Sequence, residues 1–253
     1  MGIFKKTIPV FILLVFINVN AQKTVIDSEV GIYFGPTFMQ TDYGEANNFK
    51  SSVNNGGFGF GLAYIADYSK LTYNSKLLSI VSKHLKTRLE LSYSNTIFEY
   101  DGEPVSNVGS LEYENYKAMK GETKLYNIGV FGEIYFLSLR RSSKIQPYII
   151  AGVSYSIVSP SLKTTEPLPR VFTPKSENVF LEKQNVISYS TGLGFRYKLN
   201  AIDFLIESRF NSFFSDRIEG LDSNVAADKN NDTQVIFNIG VVFHFNDKSR
   251  NLY

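Results

Sequence analysis

Eight segments of this chain alternate large apolar residues with small or polar ones over ten or more positions. In Gly57–Tyr68, for example, Phe58, Phe60 and Leu62 fall on one face and glycines on the other. A period of two indicates a β-strand with one apolar face. The eight predicted strands are Glu29–Met39, Gly57–Tyr68, Leu85–Ile97, Lys124–Leu137, Gln146–Val158, Val186–Leu199, Ala201–Phe214 and Thr233–Phe245.

Alternation alone also fits a soluble barrel or sandwich whose polar face meets water. Three features favour a membrane. The segments exceed the usual globular strand of about 5–6 residues and match the roughly 9–11 that cross a bilayer. The polar face is rich in Gly and Ser, which suit the narrow interior of an eight-stranded barrel. Long and short connections alternate, as in barrels with long outer loops and short periplasmic turns. We therefore predict an all-β, eight-stranded antiparallel transmembrane up-and-down β-barrel.

One inner connection, Ser69–His84, is too long for a plain periplasmic turn. Its apolar residues, Leu77, Leu78, Ile80 and Val81, predict a short amphipathic helix. Since this connection alone combines spare length with apolar side chains on the periplasmic side, we predict that it contacts a periplasmic partner.

The first 21 residues have the features of a signal peptide. Lys5 and Lys6 precede an apolar run from Ile8 to Val19, and a cut before Gln22 leaves residues 22–253 as the barrel. An uncleaved anchor is the alternative. With the leader removed, formal net charge falls from +2 to about zero, which does not favour a nucleic-acid partner. The expected location is the outer membrane, with its lipid around the barrel.

By face parity, six charged residues point into the barrel: Arg88, Glu90, Glu133, Arg196, Glu207 and Arg209. Three positive and three negative groups predict a mutually paired network, because buried charges persist when paired. A structural plug is the first interpretation, and a proton or solute pathway is the alternative. An eight-stranded lumen is too narrow for a general pore.

Little in the sequence indicates catalysis, a cofactor or a metal. The chain has no Cys, no GxSxG motif, and only two histidines, His84 and His244, both predicted at the periplasmic rim. A non-enzymatic protein without a cofactor is therefore expected. The outer loop 216–232 is rich in Asp and Asn, which suits calcium as well as ordinary turns.

Both ends of the mature chain resemble a known family. The first stretch is Glu29–Pro36 with Phe38, Gln40 and Thr41–Gly44, followed by Asn55–Gly61; the last comprises Gly194–Leu199, Asp216–Asp222 and Asn231–Asp232. These resemble the PorG-like outer-membrane barrels of Bacteroidota, which are linked to type IX secretion. The match is thin over about 100 to 180. Members often carry Trp in the segments that match Arg217 and Thr233, whereas this chain has no Trp, so a diverged paralogue stays open.

The resemblance implies a barrel whose periplasmic side contacts the ring proteins of the secretion machinery, and it implies no catalytic residue. The leading hypothesis is thus a non-enzymatic structural or assembly barrel of type IX secretion. A surface adhesin or receptor acting through the outer loops is the alternative. A narrow transport barrel or a lipid-modifying barrel is the third hypothesis.

Overall fold

The computed structural model describes residues 26–43, 54–71, 73–100, 105, 113–141, 143–169, 179–199, 202–221 and 231–245. The predicted signal peptide lies outside these residues. In chain order the described elements are β1 (Asp27–Gln40), β2 (Gly56–Asp67), α1 (Lys76–His84), β3 (Leu85–Glu99), α2 (Tyr113–Ala118), β4 (Lys120–Tyr135), β5 (Ile145–Lys163), β6 (Gln184–Lys198), β7 (Ile202–Phe213) and β8 (Thr233–His244).

The eight strands form one closed antiparallel barrel in which each strand pairs with its neighbours in sequence. Closure is made by β1 and β8, whose register runs from Glu29 opposite His244 to Gln40 opposite Thr233. Closure leaves the barrel formed by the described strands without an unpaired edge, as strands in lipid require. The predicted eight-stranded up-and-down barrel is confirmed, including the helix in the connection after β2.

The outward face of the barrel is an apolar band bounded by aromatic rows. Along β4 the band runs from Tyr126 to Phe136, which directly follows the strand; both are more than half exposed. Ten steps of about 3.3 Å at a tilt of about 45° give roughly 23 Å, which matches the apolar height of membrane barrels. We call the row with Tyr126 the outer row; it lies toward the long loops. The inner row lies toward the short turns.

The interior is filled by bulkier side chains than the Gly- and Ser-rich face predicts. Eight large apolar or aromatic residues point inward and are buried: Tyr33, Ile65, Phe131, Tyr135, Tyr148, Ile150, Leu205 and Val242. Glycines make room for the rings. A Cβ at Gly61 would lie 2.2 Å from the Tyr33 ring, and one at Gly194 would lie 2.2 Å from the Tyr148 ring.

Two strands extend further outward than the sequence predicts. β4 begins at Lys120 where Lys124 was expected, and β5 ends at Lys163 where Val158 was expected. The two extensions pair with each other, up to Lys120 opposite Lys163. Their outward residues are polar, so the alternation ends although backbone pairing continues. Helix α2 was not predicted either; its six residues are too few for a clear helical period.

No helix among the described residues has both the length and the apolar character that crossing a membrane requires.

Candidate functional site

Three arginines and three glutamates meet in the middle of the barrel. They are the six residues predicted from face parity: Arg88 and Glu90 on β3, Glu133 on β4, Arg196 on β6, and Glu207 and Arg209 on β7. Each is at most 3% exposed. The strands place them there because every second residue of a strand faces inward.

Two of the arginines bridge glutamates that stand on non-adjacent strands, across the lumen. Arg88 lies between Glu133, with Nη2 2.5 Å from Oε1, and Glu207, with Nη1 3.1 Å from Oε2. Arg209 makes a two-pronged contact with Glu90, at 2.7 and 2.9 Å, and also binds Glu207. Two-pronged guanidinium–carboxylate pairs fix orientation as well as charge, so these side chains have little freedom.

The third arginine extends the network toward the inner end. Arg196 binds Glu133 at 2.8 Å and Glu29 at 2.6 Å. Glu29 also contacts Lys86 at 2.6 Å and His244 at 3.1 Å. Two further acids complete this end: Asp67, 3.0 Å from Lys86, and Asp203, 3.1 Å from the His244 ring.

The sequence predicted His244 at the periplasmic rim, where the structure places it, but it did not predict the inner members as part of the network. Lys86 has the inward parity of Arg88, and that signal could have found it. Glu29 stands near the start of β1, where parity is least certain.

Inward tyrosines add hydrogen bonds to two of these carboxylates. The Tyr135 hydroxyl donates to Glu133 at 2.5 Å, and the Tyr148 hydroxyl donates to Glu207 at 2.7 Å. Phe131 lies under the Arg209 guanidinium, 4.6 Å from its carbon. A buried ion is tolerated only with such partners. This geometry makes the network a rigid filling of the lumen.

The inner end of the lumen is covered by the β4–β5 turn. Leu139 of this turn is buried, and its carbonyl accepts a hydrogen bond from Lys198 Nζ at 3.3 Å. Its amide donates to the Lys83 carbonyl of α1 at 2.8 Å. Leu139 therefore connects helix α1 to the inner end of the barrel.

Helix α1 is held tightly and presents its apolar side outward. The His84 ring donates from Nδ1 to the Tyr135 carbonyl at 2.9 Å, and α1 continues directly into β3. Arg140 Nε donates to the Ser69 carbonyl at 2.6 Å, which fixes the segment before the helix. Ser82 is on the buried side. The four predicted contact residues point away from the barrel, with exposures of 71% for Leu77, 49% for Leu78, 51% for Ile80 and 41% for Val81.

A second apolar cluster caps the outer end. It joins β-strand ends, α2 and the loops: Met39, Tyr43, Phe98, Tyr116, Met119, Leu125, Val158, Val186, Phe213, Ile218 and Leu221. The loop after β5 pairs with the loop after β7, through Phe180 N to Gly220 O at 2.7 Å. Thr123 Oγ1 donates to Ile218 O at 2.9 Å. The loop bases thus form one packed cap.

Two carboxyl groups are buried in this cap, outside the membrane-spanning segments. Glu219 Oε1 accepts a hydrogen bond from Asp42 N at 3.2 Å, and Asp232 Oδ2 accepts one from Ile218 N at 2.8 Å. Burial, together with the neighbouring carboxylates Asp232 and Asp42, raises the pKa of Glu219 well above its usual range. Burial also raises the pKa of Asp232, although its hydrogen bond from Ile218 lowers it.

The calcium prediction for the outer loop concerns mostly residues outside the described part, among them Asp222, Asn224, Asp228 and Asn230. Among the residues that the structure does describe, no group of three or more His, Cys, Asp or Glu side chains is arranged to hold a metal ion.

A closed antiparallel barrel with an apolar outer band and a charge-filled lumen defines the class of an eight-stranded transmembrane β-barrel. No protein-family model matches the chain. No curated protein matches it either.

Solved structures similar to the chain include outer-membrane barrels. Neisserial surface protein A is 15% identical, with 86% of this chain and 97% of that chain covered and a TM-score of 0.46. A major outer membrane protein from Thermus thermophilus is 13% identical, with coverages of 87% and 100% and a TM-score of 0.48. The outer membrane enzyme PagL is 12% identical, with coverages of 85% and 98% and a TM-score of 0.38. Because these similar structures include both an enzyme and a surface protein, similarity of fold does not decide whether this chain is catalytic.

Proposed function

We propose that this chain is a non-enzymatic structural barrel of the outer membrane that docks a periplasmic partner through α1, as an accessory of type IX secretion. The observation that carries the proposal is the apolar side of α1, which faces away from the barrel on an element anchored at both ends. Exposed apolar patches of this kind mark interaction surfaces.

The filled lumen supports a structural role over a conducting one. Its largest buried side chains include Arg88, Arg196, Tyr135 and Tyr148, and the carboxylates between them are held by cations and hydroxyls. Moving a solute through this region would require breaking several buried ion pairs, each costly to leave half-made. The partner class, the ring proteins of the secretion machinery, comes from the resemblance of the chain ends to the PorG-like family.

The test replaces the outward side of α1. The triple variant Leu77→Ser, Leu78→Ser, Ile80→Ser keeps the buried Ser82 side and is expected to fold into the membrane as before. Co-purification of periplasmic ring proteins with the tagged barrel is expected to be lost. The control is Leu181→Ser, an exposed apolar residue at the opposite end, which should leave co-purification unchanged. Equal recovery of ring proteins with the triple variant and with the wild type would refute docking through α1.

A surface adhesin or receptor is the second candidate, and the packed outer cap favours it, because it gives the long loops a firm base. Arg217 stacks on Phe180 across two loops, with its guanidinium carbon 4.1 Å from the ring centre. Deleting Ser161–Lys183 would then abolish binding to a surface ligand while secretion stays normal. Impaired secretion in that deletion would count against this candidate.

A further inference from the structure

The outward face of the barrel has a recess between β2, β3 and β4. Its volume is about 490 Å³, its walls are Phe60, Leu62, Leu91, Tyr93 and Tyr126, and its floor is the paired Ser92 and Asn127. Across the strands, Phe60 stands opposite Tyr93 and Tyr93 opposite Tyr126. Their ring centres are 5.5 and 4.9 Å apart, so one wall is a continuous aromatic surface.

The recess lies in the outer aromatic row. Tyr126 marks the end of the apolar band on β4, and Leu62 and Leu91 lie on the band side of the row. Aromatic rows stand at the level where hydrocarbon meets head groups. The recess therefore opens into the outer leaflet, and the medium that reaches it consists of lipid acyl chains.

Charged side chains stand directly above the recess, toward the long loops. Lys124 stands two residues before Tyr126 on the same outward face of β4 and is paired in register with Asn95. Its side chain is 45% exposed and pairs with Glu122 at 3.3 Å. An ammonium has three N–H donors, so a second anion can share this group. Lys120 and Lys163 lie opposite each other further out, at the ends of β4 and β5. Lys120 pairs with Glu99 at 2.7 Å, so the three lysines exceed Glu99 and Glu122 by one positive charge.

We propose that the recess and Lys124 form a binding site for one outer-leaflet lipid with a phosphate-bearing head group. One acyl chain lies in the recess against the aromatic wall. The phosphate pairs with the Lys124 ammonium. Glu122 accepts hydrogen bonds from hydroxyl groups of the polar head, and the Asn95 side-chain amide donates to its oxygens. A phospholipid and a phosphorylated glycolipid share this chemistry.

The first arm of the test measures lipid retention by native mass spectrometry of the full barrel in detergent. The probes are phosphatidylglycerol, phosphorylated lipid A and an uncharged diacyl glycolipid of matched chain length. One retained molecule is expected with the phosphate-bearing lipids, and competition between them identifies the preferred source. Equal retention of the uncharged glycolipid would overturn the role of phosphate.

The second arm uses variants. Lys124→Gln should weaken retention of the phosphate-bearing lipids about fivefold, the effect of one interfacial lysine, while Lys144→Gln at the inner end should not. Leu91→Trp fills the recess and should abolish retention. Val153→Trp, on the outward face of β5 and similarly exposed, is the size control. Each variant is first checked for the heat-dependent gel mobility of a folded barrel. Equal lipid retention by the Leu91→Trp and Val153→Trp variants would refute lipid binding in the recess.

Discussion

The charge network in the lumen makes a quantitative prediction at Glu133. This carboxylate accepts hydrogen bonds from Arg88 at 2.6 Å, Arg196 at 2.8 Å and Tyr135 at 2.5 Å, and it is fully buried. Glu133→Gln keeps the volume but removes the charge, and its amide NH₂ would face a donor. Arg88 and Arg196 then each lose one carboxylate partner while remaining buried. Breaking a buried pair from one side costs about 3–5 kcal/mol.

The assay is urea unfolding of the barrel in phospholipid vesicles, followed by far-ultraviolet circular dichroism because the chain has no Trp. With an m-value of about 2 kcal/mol per molar, the midpoint should fall by about 1.5–2.5 M. The control is Glu99→Gln, which removes an exposed partner of Lys120 and should cost less than about 1 kcal/mol. A loss below about 1 kcal/mol at Glu133 as well would mean that water, not low-dielectric packing, surrounds the network.

Three further predictions follow from single contacts. Gly194→Ala puts a Cβ 2.2 Å from the ring of Tyr148 and should cost about 1–3 kcal/mol in urea unfolding, whereas Gly31→Ala, with its nearest neighbour at 3.5 Å, should cost less; equal losses would contradict the ring contact. Folding raises the pKa of Glu219, so the folded chain holds a proton that the unfolded chain releases above about pH 4.3. Stability therefore falls as pH rises, and the unfolding midpoint of Glu219→Gln relative to wild type should increase between pH 5 and 8; a pH-independent difference would refute this. Arg140→Ala removes the hydrogen bonds to the segment before α1 and should speed amide exchange there but not in the strands; unchanged exchange would show that the other anchors suffice.

Features that depend on residues close together in the chain could be predicted from the sequence, whereas features that depend on contacts between distant residues could not. Alternation along Gly57–Tyr68 or Thr233–Phe245 is a local property, and it gave strand positions within a few residues of the observed ends. Face parity was enough to place Arg88 and Glu133 inside. It could not give their partners, since those depend on register across several strands: Arg88 and Glu207 are 119 residues apart in the chain.

The inward rings of Tyr33, Phe131 and Tyr148 show why the alternation within a single strand does not predict how the lumen is filled. Such rings break the small-residue pattern on their own strand and are accommodated by glycines on the next, such as Gly61 beneath Tyr33. The outer cap has the same origin, because its apolar residues come from loop bases that are far apart in sequence and meet only on closure.

The sequence by itself determined that the chain has eight long strands, each with one apolar face and one face of small or polar residues. In lipid, strands of this kind can only form a closed barrel. Tertiary structure alone decided which charges pair, which rings fill the lumen, and that the apolar side of α1 faces away from the barrel. The physical reason is range. Side-chain alternation is set by the backbone of each strand, whereas pairing distances and exposed faces are set by strand register and by contacts such as Leu139 N to Lys83 O.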